Sequence, residues 1–433
     1  MGRTLSGTAI SRTRHELLRR LNTAPWAGNV VRWSHRSGTL PTAVDAVIAV
    51  PACNEEARIE ACLEACACSA SLSGLAVRIL VLVNGTDDGT SRRALAWAAR
   101  PHRSLTLVEV DFVPDLAHAG AARRLVMELA GANAAPDTVL LTTDADAQPS
   151  ARWVGDCVEH LRTGTSLVCG RVALDPDEEA RLPPHVLAVG HIEHRYRQLS
   201  QELERLMDPD PWNPHPHHGT ASGASLAIRV QDLRAVGGVP LLRCAEDKAL
   251  ARRVRAHALP VVFTHDAQVT VSCRTVGRAP GGMADTLAQR AHDLDPSCDE
   301  QLESAASLHA RLAIRARLRR AWPRPDTRTA ALIDAGADAA LAARLARSDR
   351  FDDGWDTFES IVLEPARRRL SLSDIPHQSN ELLERIRTMR VRAHRVDDPV
   401  PVAQEHSGSD LPPSAPRRRS RSRSRSRSMS PHS

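Results

Sequence analysis

The chain has 433 residues, a formal net charge of +5 and a hydrophobic fraction of 42%, values that suit a large α/β domain with a smaller one beside it. It contains no stretch of about 18 apolar residues, which argues against a membrane-spanning helix, and we expect a cytoplasmic protein. The nine cysteines are odd in number and scattered, which argues against a disulfide framework.

The positive charge is concentrated at the two ends of the sequence. Residues 1–40 carry seven arginines against one acid and residues 417–427 carry seven more, which leaves −8 on the rest of the chain. An acidic body argues against a nucleic-acid surface on it. We expect a basic arm over residues 1–43, with one short helix around residues 15–21, and a disordered Pro-, Ser- and Arg-rich tail over residues 396–433.

Between these ends the apolar pattern alternates between strands and helices. The predicted strands are 46–50, 77–83, 105–110, 139–143, 166–172, 225–228, 261–263 and 268–272. The predicted helices are 59–68, 90–99, 119–129, 151–161, 185–207, 232–236 and 245–257. Repeated β-α-β units predict a parallel sheet with right-handed crossovers, here assigned to a domain over residues 44–283.

Two further segments follow different patterns. Residues 208–219 contain four prolines and are predicted to form an irregular loop with a functional role. Residues 284–395 repeat Ala, Leu and Arg at helical spacing and are predicted to form a helical extension without catalytic residues.

A pair of carboxylates follows the predicted strand over residues 139–143. Asp144 and Asp146 are separated by one small residue, and ligands of parallel sheets bind beyond the carboxyl ends of the strands. Carboxylate oxygens suit Mg²⁺ or Mn²⁺, which also take ligands from water and phosphate. The pair therefore indicates a metal-bridged diphosphate, although the same residues would also suit an ordinary turn before a helix.

Three other polar motifs follow predicted strands or begin a predicted helix. They are Val50-Pro51-Ala52-Cys53-Asn54-Glu55-Glu56, Asn84-Gly85-Thr86-Asp87-Asp88-Gly89-Thr90 and Glu246-Asp247. Together with the carboxylate pair they resemble, in order and spacing, a family 2 glycosyltransferase over roughly residues 44–275. The resemblance implies a GT-A fold, that of nucleotide-diphospho-sugar transferases, with a mostly parallel sheet flanked by helices.

The resemblance also implies roles for individual residues. Pro51, Asn54 and Glu55 would line the nucleotide pocket, and Asp144 and Asp146 would meet the sugar diphosphate and its metal. The reaction needs a base for the acceptor hydroxyl and a cation for the departing diphosphate. Asp247 would be the base of an inverting displacement, kept ionised by the dipole of its helix, while Glu246 would orient the acceptor.

The sequence departs from the family pattern at one donor position. Asn84 stands where the family usually has an aspartate for the nucleobase, and an amide both donates and accepts hydrogen bonds, so a different base is possible. The processive Gln-x-x-Arg-Trp signature is absent, which favours transfer of a single sugar to a hydroxyl-bearing acceptor.

Residues outside these motifs are further candidates for binding the acceptor or the diphosphate. His218 in the proline-rich loop, together with Ser222 and Gly223, would contact the acceptor. Arg274 and Arg278 would steady the diphosphate from a loop. Solvent-exposed positions are an equally good interpretation of the histidine and the arginines.

Three other functions remain open from the sequence. A nucleotidyltransferase on a related fold would also bind metal and diphosphate, but it usually has a Gly-rich basic loop where this chain has Pro51 to Glu56. The Arg-Ser repeat near the C-terminus would attract RNA or another polyanion, although aromatic residues for base stacking are absent from it. A sugar-nucleotide binder without turnover is a third possibility, suggested by Asn84 alone.

Overall fold

The computed structural model describes residues 7–40, 42–275, 277, 282–293 and 295–397. Its strands are β1 (Val30–Ser37), β2 (Ala46–Ala52), β3 (Val77–Asn84), β4 (Thr106–Phe112), β5 (Val139–Thr142), β6 (Ala147–Pro149), β7 (Leu167–Leu174), β8 (Leu226–Arg229) and β9 (Val261–Val271). These nine strands of the described chain form one sheet in the order β1-β4-β3-β2-β5-β8-β7-β9-β6. The central strands β4, β3, β2 and β5 are parallel, whereas β1, β8 and β6 run antiparallel to their neighbours.

Helices cover both faces of this sheet and continue beyond it. They are α1 (Gly7–Leu21), α2 (Ile59–Ser73), α3 (Thr90–Ala98), α4 (Ala119–Ala130), α5 (Trp153–Arg162), α6 (Pro176–Glu179), α7 (Pro184–Met207), α8 (Val230–Ala235), α9 (Glu246–Ala256), α10 (Met283–His292), α11 (Ala305–Ala321), α12 (Pro325–Asp334), α13 (Ala339–Leu345), α14 (Phe351–Phe358) and α15 (Ile375–Asp397). A separate unit begins at Val391. None of the described helices is long and apolar enough to cross a membrane.

The central strand β2 shows why the sheet has two cores. All seven of its residues are buried, and successive side chains of a strand point to opposite faces. Val47 packs with α4 in one apolar cluster, while Ile48 packs with α2 and α5 in another. An unbroken apolar run is typical of a strand covered on both faces. The predicted α/β class, with a parallel sheet flanked by helices, is therefore confirmed.

The prediction of a single short helix in residues 1–40 is wrong. Helix α1 begins at Gly7, and residues Val30–Ser37 form the edge strand β1, which pairs with β4. The strand carries charge because it lies at the sheet edge, where Arg32 pairs with Asp111 at 2.6 Å. Charged residues are common on edge strands because they oppose pairing with another chain, and such residues conceal a strand from its apolar pattern.

The strands predicted over residues 261–263 and 268–272 are one strand, β9. It pairs in parallel with β7, and its register shifts between Gly170 and Val172. The polar residues of Thr264-His265-Asp266 interrupt the apolar pattern at this irregularity, which explains the error. The loop at residues 208–219 is irregular, as predicted. Its Asn213 side chain donates to the Val261 carbonyl and accepts from the Phe263 N–H, at 2.8 and 2.7 Å, which fastens the loop to β9.

The predicted helical region after residue 284 is also confirmed. Helices α11 and α15 pack against α7 through a cluster that includes Tyr196, Leu203, Leu312 and Leu382. Residues 398–433, which hold most of the predicted tail, and residues 1–6 of the predicted arm lie outside the described part of the chain.

Candidate active site

A cavity of about 340 Å³ opens at the carboxyl edge of the parallel strands. Strands β2, β3 and β5 end there at Ala52, Asn84 and Thr142, which is the edge where open α/β sheets bind ligands. The predicted site residues that line the cavity are Pro51, Glu55, Asn84, Asp144, Asp146, Ser222, Gly223, Glu246, Asp247 and Arg274. Most of the residues predicted from separate motifs therefore meet in one place.

The carboxylate of Asp146 lies beside an arginine from the far end of the domain. Arg274 donates to both carboxylate oxygens of Glu55, at 2.8 and 2.5 Å, and its Nη2 lies 3.0 Å from Asp146 Oδ2. Burial raises the pKa of Asp146 to about 6, with a further contribution from Asp144, while Arg274 opposes the shift. Asp146 thus holds its negative charge less readily than an exposed aspartate does.

The donor atoms of this region fit a hard cation that shares its ligands with a substrate. Within the described residues no group of three or more His, Cys, Asp or Glu side chains could hold a metal ion alone. Asp144 and Asp146 supply carboxylate oxygens and line the cavity, and the Asp144 side chain is 37% exposed. Mg²⁺ usually takes one or two carboxylates and completes its shell with water and phosphate oxygens. The pair suits such a cation.

A buried arginine, Arg123, connects the two ends of the cavity. Its guanidinium donates to Asp144 Oδ1 at 2.6 Å and to Glu246 Oε1 at 2.9 Å. It also donates to the Thr142 hydroxyl at 3.0 Å and to the Gly223 carbonyl at 2.8 Å. Burial disfavours the charge, but Asp144 and Glu246 outweigh that cost and raise the pKa of Arg123. This residue lies outside the four motifs that carry the family resemblance, although a charged residue on the apolar face of α4 was a usable signal.

Asp247 lies at the start of α9 and faces the segment before β8. Its Oδ2 accepts the Gly223 N–H at 2.8 Å, and its Oδ1 accepts the N–H of Lys248 at 2.7 Å. Burial, followed by the charge of Glu246, raises the pKa of Asp247, while Arg123 and the N–H groups of Gly223 and Lys248 oppose the shift. A raised pKa makes this carboxylate a better proton acceptor. The neighbouring Glu246 side chain points instead to Arg123.

Two asparagines near the strand ends have different environments. Asn84 is buried, and within the described residues its Oδ1 has no hydrogen-bond partner. Asn54 is not among the residues that line the cavity. Its Oδ1 accepts hydrogen bonds from the Thr86 hydroxyl and the Asp87 N–H, at 2.7 and 3.0 Å, and so joins two loops.

The last two candidates from the sequence are His218 and Arg278. His218 does not line the cavity. Its Nε2 lies 3.1 Å from the Cys169 carbonyl, its Nδ1 accepts the Thr220 N–H, and burial lowers its pKa to about 4. The imidazole is therefore neutral and fixes the proline-rich loop to β7. Arg278 lies outside the described residues.

The cavity with charged side chains among its lining residues lies at the carboxyl strand ends, where open α/β sheets bind their ligands. Residues 47–225 match the family model of "Glycosyl transferase family 2", and this segment carries the similarity of the chain to that family of glycosyltransferases. The match favours a glycosyltransferase over the nucleotidyltransferase alternative. No curated protein matches the chain.

Several solved structures are similar to this chain at low identity. The mannosyltransferase PcManGT from Pyrobaculum calidifontis, in complex with GDP-Man and Mn²⁺, is 17% identical over 82% of this chain and 95% of that one, with a TM-score of 0.39. Glucosyl-3-phosphoglycerate synthase from Mycobacterium tuberculosis, with Mn²⁺, UDP and glucosyl-3-phosphoglycerate, is 20% identical over 58% and 77%, with a TM-score of 0.33. TarS 1–349 of S. aureus with UDP is 12% identical over 82% and 92%, with a TM-score of 0.39. Similarities of this size do not transfer a substrate.

Proposed function

We propose that this cavity transfers a single sugar from a nucleotide-diphosphate sugar to a hydroxyl group of an acceptor. The observation that carries the proposal is that Asn84, Asp144, Asp146 and Asp247 line one cavity although they come from three separate segments of the chain. The family match supports it, because residues 47–225 include the first three of these residues. We assign the catalytic domain to residues 44–283 and treat residues 284–395 as a helical extension.

The nucleoside would bind at the ends of β2 and β3. The buried Oδ1 of Asn84 has no partner among the described residues, and an unsatisfied buried acceptor costs about 1–3 kcal/mol. An N–H of a nucleobase would satisfy it, while the amide nitrogen of the same side chain would donate to a neighbouring base carbonyl. Pro51 and Glu55 line the cavity beside it. Asn54 would act indirectly, by holding the loop that follows β3.

Asp144 and Asp146 would hold Mg²⁺ or Mn²⁺ together with the diphosphate. The cation would neutralise the charge that grows on the diphosphate as the sugar leaves. Arg274 would exchange its contact with Asp146 for a diphosphate oxygen, since a guanidinium binds phosphate through two parallel hydrogen bonds. Arg278 keeps the same predicted role.

Asp247 would accept the proton of the acceptor hydroxyl in an inverting displacement. Its raised pKa, caused first by burial, brings it closer to the operating pH, as general-base catalysis favours. Ser222 and Gly223 line the same end of the cavity and would contact the acceptor. Glu246 would act through Arg123 and not on the acceptor, because its carboxylate is buried against that guanidinium.

Calorimetric titration of UDP and GDP tests the proposal. With Mn²⁺ present, one of them should bind the wild-type protein, and EDTA should weaken that binding strongly. Asp146→Ala should remove the metal-dependent part of the affinity, because it deletes one of the two carboxylates. Asp266→Ala is the matched control, since Asp266 is 68% exposed and pairs with His160. Equal affinity with Mn²⁺ and with EDTA would disprove the metal assignment.

A further inference from the structure

One guanidinium contacts both halves of the proposed active site. Arg123 is only 4% exposed, and its four hydrogen-bond partners lie on three segments of the chain. Asp144 and Thr142 belong to the end of β5, Gly223 precedes β8, and Glu246 begins α9. The first segment carries the carboxylate proposed to bind the sugar donor, here called the donor side. The other two lie beside the proposed base Asp247, here called the base side.

Gly223 leaves room for the guanidinium of Arg123, and Gly120 allows the close approach of the helix that carries it. A Cβ atom on Gly223 would lie 2.3 Å from Nη2 and 2.4 Å from Cζ of Arg123. A Cβ atom on Gly120, in the first turn of α4, would lie 2.0 Å from the Leu242 carbonyl oxygen. Distances this short exclude any side chain at either position without movement of the backbone or the guanidinium. Both glycines therefore serve the close packing of α4 under the cavity.

The backbone N–H and C=O of Gly223, which lie on either side of its Cα atom, extend the connection to the proposed base. Its carbonyl accepts from Arg123 at 2.8 Å, and its N–H donates to Asp247 Oδ2 at 2.8 Å. A single residue thus separates the guanidinium from the Asp247 carboxylate. A movement of Arg123 that displaces Gly223 would shift this N–H and, with it, its hydrogen bond to Asp247.

The charges make the two contacts of Arg123 depend on each other. One positive group is shared between Asp144 and Glu246, at 2.6 and 2.9 Å. If Glu246 lost its charge, the guanidinium would be held more firmly by Asp144. Asp144 would then be less available to a cation, because the same carboxylate serves both.

From this geometry we infer that Arg123 is a positioning residue that couples the donor-side carboxylate Asp144 to the base-side residues Glu246 and Asp247. The inference rests on the proposed function and deepens it. Arg123 fixes one oxygen of Asp144 and leaves the other for the cation. Through Gly223 it also fixes the base, so that one side chain positions both the donor-binding carboxylate and the base.

A double-mutant cycle in nucleotide binding tests this inference. The variants are Arg123→Lys, Glu246→Gln and their combination, titrated by calorimetry with whichever of UDP or GDP binds the wild-type protein in Mn²⁺. Glu246→Gln should lower the Mn²⁺-dependent affinity by about threefold or more, since neighbouring groups in one network are typically coupled to this extent. In the Arg123→Lys background the same substitution should have no further effect, because lysine lacks the planar fork that bridges both carboxylates.

The control is Arg124→Lys, the same substitution on the next residue of α4. Arg124 donates to Glu128 at 2.9 Å and to the Val239 carbonyl at 3.0 Å, and it contacts none of the partners of Arg123. It should leave the nucleotide affinity unchanged. A structural role alone would lower the melting temperature of the Arg123 variant without coupling to Glu246.

The outcomes separate this inference from the proposed function. Additive effects in the cycle would overturn the coupling while metal-dependent binding by the wild-type protein stands. Failure of the wild-type protein to bind any tested nucleotide with Mn²⁺ would overturn the proposed function itself. If Arg123→Lys does not fold, Glu246→Gln alone decides, since an unchanged Mn²⁺-dependent affinity in that variant would contradict the inference.

Discussion

Two buried arginines of this protein have similar electrostatics and different surroundings. Arg123 bridges Asp144 and Glu246 at the cavity. Arg311 on α11 donates to Glu303 at 2.7 Å and to Glu204 at 3.1 Å in the helical region. Burial opposes the charge in both cases, and the neighbouring carboxylates raise the pKa of each arginine above its usual value.

The difference lies in what the paired carboxylates can reach. Asp144 lines the cavity as well as binding Arg123, so one of its oxygens can serve a ligand. Glu303 is 4% exposed and also binds Arg367 at 3.0 Å, which leaves it enclosed by protein groups. A buried ion pair by itself is weak evidence for either stability or function. Position at the strand ends is what distinguishes the Arg123 network.

The largest expected effect is on turnover, in a variant of the proposed base Asp247, which lies next to the Arg123 network. Asp247→Asn keeps the shape and removes the basicity, so kcat should fall by about 10² to 10⁴, as loss of a general base typically does. Nucleotide affinity should stay within a few-fold of the wild-type value. Steady-state kinetics and calorimetry on the same preparation measure both quantities.

The matched control for Asp247→Asn lies in the other network. Glu204→Gln removes one acidic partner of Arg311 and should leave kcat unchanged. If Asp247→Asn proves less stable but turns over at a near-normal rate, Asp247 only caps its helix and the base assignment is wrong.

An intermediate effect on stability is expected in the helical network. Arg311→Lys should lower the free energy of unfolding by about 2 kcal/mol, because hydrogen bonds to charged groups are worth roughly 1.5–3 kcal/mol. The kcat of the folded protein and its nucleotide affinity should not change. Urea unfolding and steady-state kinetics check the two parts. A comparable loss of nucleotide affinity in this variant would remove the distinction between the two networks.

The smallest expected effect concerns Arg274, whose guanidinium contacts Asp146. Arg274→Gln should raise the affinity for Mn²⁺ alone by about tenfold, or about 1.4 kcal/mol, because the guanidinium of the 3.0 Å ion pair no longer competes for the Asp146 carboxylate. The same change should weaken binding of the nucleotide diphosphate in Mn²⁺, since the guanidinium is lost. Calorimetry with and without nucleotide measures both.

A second arginine near the cavity gives the control for Arg274→Gln. Arg93→Gln removes one positive charge from a side chain that is 54% exposed and lies 3.7 Å from Glu56. It should leave both affinities unchanged. Opposite signs for Mn²⁺ alone and for the nucleotide complex are the distinguishing result, and a decrease in both would show that Arg274 does not compete with the metal.

The sequence determined the elements that carry the site. The apolar runs that end at Asn84 and before Asp144 predicted two strands of one parallel sheet, and parallel strands bring their carboxyl ends to one edge. Glu246 and Asp247 were placed at the start of a helix by the same pattern. These predictions depend on local periodicity and on strand ends, which neighbouring residues fix.

Only the tertiary structure decided which side chains meet. Arg274 and Glu55 are 219 residues apart in sequence, and Arg123 and Glu246 are 123 residues apart. No local pattern encodes such a contact, because it depends on how α4 and α9 pack against the sheet and on the place of β9 within it. The same reason explains why His218 serves a loop instead of the cavity, and why the charged segment at residues 30–37 is a strand: its hydrogen bonds are made with β4, far along the chain.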